Sequence, residues 1–379
     1  MNVKIKDMAL IEDWPIVVDN GAGHLKAGYA GDGGPRILIP MLIGRPTKCS
    51  KYTDWFVGEH ANVLRNELIL NCPIANGIVT DIDGLSLVWY YMFMKELRTN
   101  PENHPVLISE YPLLPKFNRE KLAEMVFEKF HMPGLFFTDQ SALALYAYGL
   151  TSGLVVDVGT EMSNITPVNN TIFIPNALRR QNLGGSHITE LFRYMLAKEH
   201  PVAATSISRD FARLLKEKFC FISLNPDDER KQINSTSNAQ NVHQTPDGHI
   251  ISLTKERFMA PELLFYPRQA GLSGTTGLQN IVNESIQKCS ADLHPTLYSN
   301  IVLSGGSTLF PGFSQRLENE LNALNSPVNQ RIFVHRKQND QKYAVWIGGS
   351  ILASLSSFKE IYIQKKEYEE FGARIVHTR

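Results

Sequence analysis

Two stretches of the chain follow one pattern, Ile16-Val17-Val18-Asp19-Asn20-Gly21-Ala22-Gly23 and Leu154-Val155-Val156-Asp157-Val158-Gly159-Thr160-Glu161. In each, an apolar run of β-forming residues ends near an aspartate and turns at once through glycine. Such a run predicts a buried strand, and the small residues after it predict a tight turn whose N–H groups can face an anion. The recurrence predicts two related halves that close on one polyphosphate, with each aspartate holding a hydrated cation.

The length and the charge balance narrow the class of protein. A chain of 379 residues favours two or more domains. Its 43% hydrophobic and 20% charged residues are typical of a globular protein. Lys+Arg and Asp+Glu both number 38, so no global field draws the chain to nucleic acid or to anionic lipid.

The cysteines and the hydropathy indicate the compartment. Cys49, Cys72, Cys220 and Cys289 are scattered without CxxC spacing, and no secretory signal precedes the first strand. This predicts reduced thiols in the cytoplasm or the nucleus. No apolar stretch approaches the ~18 residues of a membrane-spanning helix, so no membrane insertion is expected.

The order of predicted elements is that of an α/β protein. A β-meander follows the first turn, and helices then alternate with strands. The same order begins again at Leu154, which indicates a duplication. The polar stretch from Asn225 to Thr245 is expected to be exposed. Predicted helices are 85–97, one N-capped by Asn118, 141–148, about 189–199, 313–324 and 359–370.

Several blocks, in this order, resemble actin and its relatives. They are Asp19-Asn20-Gly21 with Lys26-Ala27-Gly28, His104-Pro105-Val106-Leu107, Asn118-Arg119-Glu120-Lys121, Pro246-Asp247-Gly248, Leu303-Ser304-Gly305-Gly306-Ser307-Thr308 and Trp346-Ile347-Gly348-Gly349-Ser350. The resemblance runs from about Ile16 to the C-terminus. Ala260-Pro261-Glu262-Leu263-Leu264-Phe265 and Lys366-Glu367-Tyr368-Glu369-Glu370 are among the blocks that look closer to the centractin type, a divergent actin-related protein.

The resemblance implies the duplicated actin and Hsp70-type ATPase fold, with two lobes around a nucleotide cleft. The first lobe would comprise residues 1–152 with 345–379 returning to it. The second would comprise residues 153–344, with an inserted subdomain at about 186–270. The implied cofactors are ATP or ADP with Mg²⁺ or Ca²⁺.

The resemblance also assigns roles to residues at matching positions. Asp19 and Asp157 would hold the cation through water, Lys26 would reach the phosphates, and Gln140 would position the attacking water. For Lys216, Lys342 and Tyr343, the open alternative is an ordinary surface position. The residues implied in nucleotide binding are Asp19, Asn20, Gly21, Ala22, Gly23, Lys26, Asp157, Gly159, Thr160, Glu161, Gly185, Lys216, Glu217, Gly305, Gly306, Lys342 and Tyr343.

Three departures from the family pattern fall in the implied cleft. Ala22 replaces a serine whose hydroxyl could donate to the terminal phosphate. Glu161 replaces a glycine, and a carboxylate there would oppose a nearby phosphate by about 1 to 4 kcal/mol, depending on screening. Asn164 replaces a histidine and cannot relay a proton near neutral pH. Binding with weak or no hydrolysis is the preferred interpretation; a normal site with Glu161 facing solvent, or an empty cleft, stays open.

Other departures concern assembly. The segment between Pro46 and Val57 is shorter than in actin, and Arg268 to Gly274 lacks an aromatic tip, both of which would weaken self-association. An apolar groove formed by Tyr146, Leu150, Ile351, Leu352 and Leu355 is the expected dock for helices of actin-binding type, although some of these leucines could instead belong to the core.

Three functional hypotheses follow. The first is a structural subunit of a cytoskeletal or motor-adaptor assembly, with other actin-family or cytoskeletal proteins as partners and at most weak ATPase activity. The second is a divergent filament-forming ATPase. The third is a nuclear actin-related subunit of a chromatin-remodelling complex, without direct contact to nucleic acid. The expected location is the cytoplasm and cytoskeleton, with the nucleus possible.

Overall fold

The computed structural model describes residues 13–47, 51–235, 242–325, 331–336 and 340–378. Packing divides the chain into two compact units. The first unit holds the residues up to Thr151, the short piece Thr171–Phe173 and the residues from Tyr343 onward. The second unit holds Ser152–Asn170 and Ile174–Lys342. Both units combine sheets with helices, so the predicted α/β class is confirmed. Cys49 lies outside the described residues.

The first unit is built on a six-stranded sheet. Its central strand, Ile16–Asn20, pairs antiparallel with His24–Tyr29 and parallel with Val106–Glu110. The apolar residues Ile16, Val17 and Val18 are fully buried, which explains why this run forms a central strand. The strand order is Ile363–Gln364, Gly134–Asp139, Val106–Glu110, Ile16–Asn20, His24–Tyr29 and Ile37–Pro40.

Smaller elements complete the first unit. Its other strands are Ile43–Pro46, Phe56–Val57, Leu68–Asn71, Ile74–Ala75, Ile78–Val79 and Ile172–Phe173. Its α-helices are Glu59–Val63, Ile82–Tyr91, Lys116–Glu124, Gln140–Ala147, Ala344–Ala353, Phe358–Ile361 and Lys365–Phe371, with π-helical turns Met92–Leu97 and Met125–Lys129 and 3₁₀ turns Pro101–Asn103 and Ala373–His377.

Two predicted helix features of the first unit are wrong. Asn118 is not an N-cap, because the helix begins at Lys116 and the buried side chain of Asn118 accepts a hydrogen bond from the Val79 N–H at 2.9 Å. The predicted helix 359–370 is interrupted by a short strand, because Ile363 is buried and pairs with Leu135 at the edge of the sheet. In both places a tertiary contact decides the local structure.

The second unit repeats the arrangement of the first. Its central strand Gly153–Val158 pairs antiparallel with Ser163–Asn169 and parallel with Ile301–Ser304. Val334–His335 adds to one side and Arg179–Gln181 to the other. Each central strand thus has an antiparallel neighbour that follows it directly and a parallel neighbour from farther along the chain, which confirms the predicted repetition of order.

Helices and short elements surround this second sheet. The helix predicted at about 189–199 begins four residues earlier, at Gly185. The predicted exposed stretch from Asn225 to Thr245 contains helix Pro226–Ser235, and residues 236–241 lie outside the described part. The α-helices are Gly185–Glu199, Arg209–Phe219, Pro226–Ser235, Glu256–Met259, Leu278–Gln287, His294–Ser299 and Phe313–Leu324. Val242–Gln244 and Ile250–Ser252 form a hairpin, and 3₁₀ turns are Pro175–Ala177, Pro201–Ala203, Pro261–Leu264, Pro267–Ala270, Ala291–Leu293, Gly306–Leu309 and Gln341–Tyr343.

Among the described residues, no helix combines the length and the apolar character needed to cross a bilayer.

Candidate functional site

A buried polar cluster surrounds Asp19 in the first unit. Asp19 lies opposite Lys26 on one neighbouring strand and opposite Ser109 on the other, so the three side chains share one face of the sheet. The Lys26 Nζ lies 2.6 Å from Asp19 Oδ2, and Ser109 Oγ donates to Asp19 Oδ1 at 2.8 Å. The aspartate is 3% exposed. The sheet register therefore assembles an ion pair where the apolar strand ends.

Gln140 joins this cluster from the first position of helix Gln140–Ala147. Its amide nitrogen lies 3.3 Å from both Asp19 Oδ1 and Ser109 Oγ. Because the nitrogen faces these two groups, the amide oxygen is the atom of Gln140 that can accept a hydrogen bond from a water. This orientation is compatible with a water-positioning role, which stays a prediction.

The turn after Asp19 presents a polar donor. The Asn20 side-chain oxygen accepts a hydrogen bond from Trp89 Nε1 at 3.1 Å, and its buried Nδ2 has no hydrogen-bond partner among the described residues. A Cβ at Gly21 would come within 2.9 Å of the His24 carbonyl oxygen, so the close turn favours glycine. Ala22 packs against the apolar core of this unit, and Gly23 accepts from the Met41 N–H.

The second unit places Asp157 in the equivalent position. Asp157 lies opposite Asn164 on the antiparallel strand and opposite Ser304 on the parallel strand. Gly305 follows with a φ of +87°, and a Cβ there would lie 2.4 Å from the Val158 carbonyl oxygen and 3.0 Å from Asp157 Oδ1. Only glycine fits this backbone beside the aspartate.

The turn after Asp157 is tied to a helix N-terminus. The N–H of Gly185 donates to the Gly159 carbonyl at 2.9 Å, and the N–H of Ser186 donates to the Thr160 carbonyl at 2.7 Å. Ser307 Oγ also donates to the Gly159 carbonyl. These bonds satisfy two of the N–H groups that an α-helix leaves open at its start, which explains why the helix begins at Gly185. Glu161 lies half-buried in the same turn.

Asn164 is buried, and a hydrogen bond from Arg180 fixes its side chain. Arg180 Nε donates to Asn164 Oδ1 at 2.8 Å, and the two residues lie opposite each other on paired strands. Asn164 is 2% exposed, and its Nδ2 has no hydrogen-bond partner among the described residues.

Among the residues implied in nucleotide binding, Lys216 is buried and Glu217 is exposed. Lys216 is 6% exposed and donates to the Gly185 carbonyl at 2.9 Å, so the surface alternative is wrong for this residue. Burial lowers the pKa of Lys216 to about 8. Glu217 is exposed and pairs with Arg213. A Cβ at Gly306 would meet only Lys342 Cγ, at 4.0 Å, so the backbone there is open to a flat group.

Lys342 and Tyr343 are both half-buried. They belong to different units, Lys342 to the second and Tyr343 to the first. Their predicted part in nucleotide binding stays a prediction.

The residues predicted to form a docking groove belong to the first unit. Helices Gln140–Ala147 and Ala344–Ala353 pack against each other. Ile351 is 45% and Leu355 51% exposed, so neither belongs to the core. Tyr146, Leu150 and Leu352 are half-buried. Whether they receive a helix stays a prediction.

Three residues of these clusters were not predicted from the sequence, Ser109, Trp89 and Arg180. Ser109 follows the apolar run Val106-Leu107-Ile108, much as Asp19 follows Ile16-Val17-Val18, and this could have indicated its place. Arg180 follows another arginine and carries no motif, so only the pairing of its strand with Ser163–Asn169 reveals its role. Trp89 reaches Asn20 from a helix far along the chain, and no local signal announces that contact.

The two clusters fit a nucleotide with a cation. Each has a carboxylate at a strand end, which is the ligand type that Mg²⁺ and Ca²⁺ prefer. Each also has a buried amide nitrogen without a partner among the described residues, Asn20 in the first unit and Asn164 in the second. A phosphate oxygen would satisfy such a donor, and burial without one is costly.

The repeated α/β units and their paired aspartate turns define a duplicated, actin-type ATPase fold. A family model described as Actin matches residues 12–379. The chain therefore belongs to the actin family, whose members typically bind ATP or ADP with a divalent cation.

Proposed function

We propose that the chain is an actin-related structural protein that binds ATP or ADP with Mg²⁺ or Ca²⁺ and hydrolyses ATP weakly or not at all. The observation that supports binding is the repetition of one polar cluster in the two units. Asp19 and Asp157 occupy equivalent positions in their strands, and each unit has a buried amide donor nearby, Asn20 next to Asp19 and Asn164 opposite Asp157. When bound, the nucleotide would supply the anionic phosphates, and the cation would neutralise their charge.

The residues of the two clusters have distinct roles in the proposed nucleotide binding. Asp19 and Asp157 orient waters around the cation, and Lys26 contributes a positive charge to the phosphates. Gly305 and Gly306 allow the backbone to approach the nucleotide closely. Lys216 fixes the Gly185 carbonyl and so holds the start of helix Gly185–Glu199.

Three residues argue against rapid hydrolysis. Ala22 packs against the core and has no hydroxyl to offer a phosphate. Glu161 brings a half-buried carboxylate to the second turn. Asn164 holds its oxygen against Arg180 and has no group that relays a proton near neutral pH. Gln140 alone would position a water, without the base that the family pattern places nearby.

The proposed role is that of a subunit in a cytoskeletal or motor-adaptor assembly, closest to the centractin type. The exposed segment from Arg268 to Gly274 supports weak self-association, because it offers little apolar area to a neighbouring subunit. The shortened segment between Pro46 and Val57 supports it too, although residues 48–50 lie outside the described part. Partners would be other actin-family or cytoskeletal proteins, with Ile351 and Leu355 on the docking surface.

Nucleotide content and sedimentation test this proposal together. The protein is purified without added nucleotide, denatured and assayed for released ATP and ADP, and a second sample is centrifuged after incubation with Mg-ATP. We expect about one nucleotide per chain and a protein that stays in the supernatant. A chain without nucleotide that also fails to bind added Mg-ATP or Mg-ADP would contradict the binding proposal. Pelleting filaments with brisk phosphate release would favour the filament-forming ATPase instead.

A further inference from the structure

A row of polar side chains crosses the sheet of the second unit. Arg180, Asn164, Asp157 and Ser304 lie on four neighbouring strands, each opposite the next in the strand register. Residues opposite each other in a sheet project to the same face. Asn164 therefore lies between a guanidinium on one side and the strand end that carries Asp157 on the other.

The contact with Arg180 decides which way the Asn164 amide points. An arginine nitrogen can only donate a hydrogen bond, so the atom of Asn164 that it meets at 2.8 Å must be the oxygen. The amide nitrogen is consequently turned away from Arg180. It is buried and has no hydrogen-bond partner among the described residues. Asn164 thus directs its hydrogen-bond donor away from Arg180, while the guanidinium holds its oxygen.

The duplication shows where this donor belongs. In the first unit the residue opposite Asp19 on the following antiparallel strand is Lys26, and in the second unit the residue opposite Asp157 on the corresponding strand is Asn164. The two residues therefore occupy equivalent positions in the repeat. Lys26 carries a cationic donor, and Asn164, fixed by Arg180, carries a neutral one.

We propose that Asn164 donates through Nδ2 to an oxygen of the nucleotide's terminal phosphate, and that Arg180 is the positioning residue that fixes this orientation. The inference rests on the proposed nucleotide binding and deepens it. A water that approaches for hydrolysis must pass its proton to a base, and the amide of Asn164 is not basic near neutral pH. The same residue therefore favours retention of the terminal phosphate over its transfer to water.

The inference predicts a preference for ATP over ADP that depends on the amide. The dissociation constants of Mg-ATP, of Mg-ADP and of Mg-ADP with beryllium fluoride, a mimic of the terminal phosphate, are measured on the full chain. Asn164→Asp replaces the donor by an acceptor of the same shape. We expect the ratio of ATP to ADP affinity to fall by about tenfold to a hundredfold, because a hydrogen bond to a charged group is lost. ADP affinity should stay within about threefold of the wild-type value.

Adjacent arginines provide a matched pair for the positioning role. Arg180→Met frees the Asn164 oxygen and lets the amide turn, so the affinity ratio should fall at least about threefold while ADP affinity is retained. Arg179→Met is the control, because Arg179 lies opposite Ile165 in the strand register, bonds to the carbonyls of Asn176 and Leu178, and pairs with Glu284. The Arg179→Met variant should have the same ratio of ATP to ADP affinity as the wild type. If Asn164→Asp does not fold, this pair carries the test.

The experiment distinguishes a failure of the proposed nucleotide binding from a failure of the donor role of Asn164. If the wild-type protein binds neither Mg-ATP nor Mg-ADP, the proposed nucleotide binding is wrong and this inference fails with it. If the wild type binds both, and the folded Asn164 and Arg180 variants keep the wild-type affinity ratio and beryllium fluoride response, only the donor role of Asn164 is overturned.

Discussion

The chemistry of the candidate site depends on individual polar atoms of a few side chains. The sequence identified Asp19 and Asp157 because each stands beside a recognisable turn, and it identified Asn164 as a departure from the family pattern. It could not show which atom of Asn164 is available, since that depends on a guanidinium from a different strand. The ion pair between Lys26 and Asp19 is likewise set by register, which links residues seven positions apart across a tight turn.

Lys216 gives a prediction of pH dependence. Burial lowers its folded-state pKa from 10.5 to about 8, so the folded chain releases this proton before the unfolded chain does. The charged lysine costs stability below pH 8, and that cost is relieved as the pH rises from about 8 to about 10.5. Chemical denaturation of the wild type and of Lys216→Met across this range measures the difference.

The free energy of unfolding of the wild type should gain up to about 3 kcal/mol relative to Lys216→Met between those two pH values. Comparison with the variant removes the contribution of titrating groups that do not interact with Lys216. A difference that stays flat with pH, or that falls, would show that Lys216 is not buried as a charged group.

Helix boundaries show why the sequence predicts elements better than their ends. The apolar spacing indicated helix Phe313–Leu324 correctly, since the signal is local. It did not show that the Asn118 side chain, inside a helix, accepts a hydrogen bond from the Val79 N–H. Nor did it show that bonds to the Gly159 and Thr160 carbonyls extend the start of helix Gly185–Glu199 by a turn. Each of these ends is determined by a partner distant in sequence.

Helix packing in the first unit depends on Gly348. A Cβ at this position would lie 1.8 Å from the Leu143 carbonyl oxygen, which belongs to the backbone of the neighbouring helix and cannot move aside cheaply. We expect Gly348→Ala to lower the free energy of unfolding by about 3 kcal/mol or more, because helices Gln140–Ala147 and Ala344–Ala353 must separate. Thermal denaturation followed by circular dichroism measures the loss.

Gly33→Ala is the control for that change. A Cβ at Gly33 would have no neighbour within 4 Å. The melting temperature of the Gly33→Ala variant should therefore stay close to that of the wild type. Equal melting temperatures for Gly348→Ala and the wild type would show that the two helices do not approach as closely as described.

A buried charge cluster anchors helix Phe313–Leu324 in the second unit. Arg316, 4% exposed, donates to Glu262 at 2.7 Å and to Glu320 at 2.8 Å, and it also bonds to the Ser223 carbonyl. Arg316→Met would leave the buried Glu262 uncompensated, and we expect a loss of about 3 to 5 kcal/mol in the free energy of unfolding.

The double variant Arg316→Met with Glu262→Gln should recover part of that loss, because the remaining amide is neutral. Urea denaturation of the two variants and the wild type measures the recovery. If the double variant is less stable than Arg316→Met, the buried carboxylate is not the source of the cost.

Both compact units of the molecule are built on the same arrangement of strands. Recurrence of one short pattern predicted two related halves, and the two sheets do repeat strand order and register around Asp19 and Asp157. The repetition was predictable because a buried strand that ends in aspartate and glycine has a strong local signal. The positions of the side chains that complete each cluster were not predictable from the sequence, because these side chains come from other strands and helices.

Nucleotide binding should raise the stability of the whole protein. A ligand that binds only the folded chain at a hundredfold excess over its dissociation constant adds about 2.7 kcal/mol. We expect the melting temperature to rise with the concentration of Mg-ATP and of Mg-ADP. A melting temperature that is independent of both nucleotides would contradict occupancy as a source of stability.

Single-turnover phosphate release shows whether this protein retains its nucleotide with little or no turnover. The protein is loaded with stoichiometric Mg-ATP, and released phosphate is followed in the wild type and in Glu161→Gly with Asn164→His. We expect that nearly all bound nucleotide stays ATP in the wild type and that the double variant releases phosphate at least about tenfold faster, because a group that relays a proton replaces one that does not. Brisk release by the wild type, or equal rates in the two proteins, would contradict this expectation.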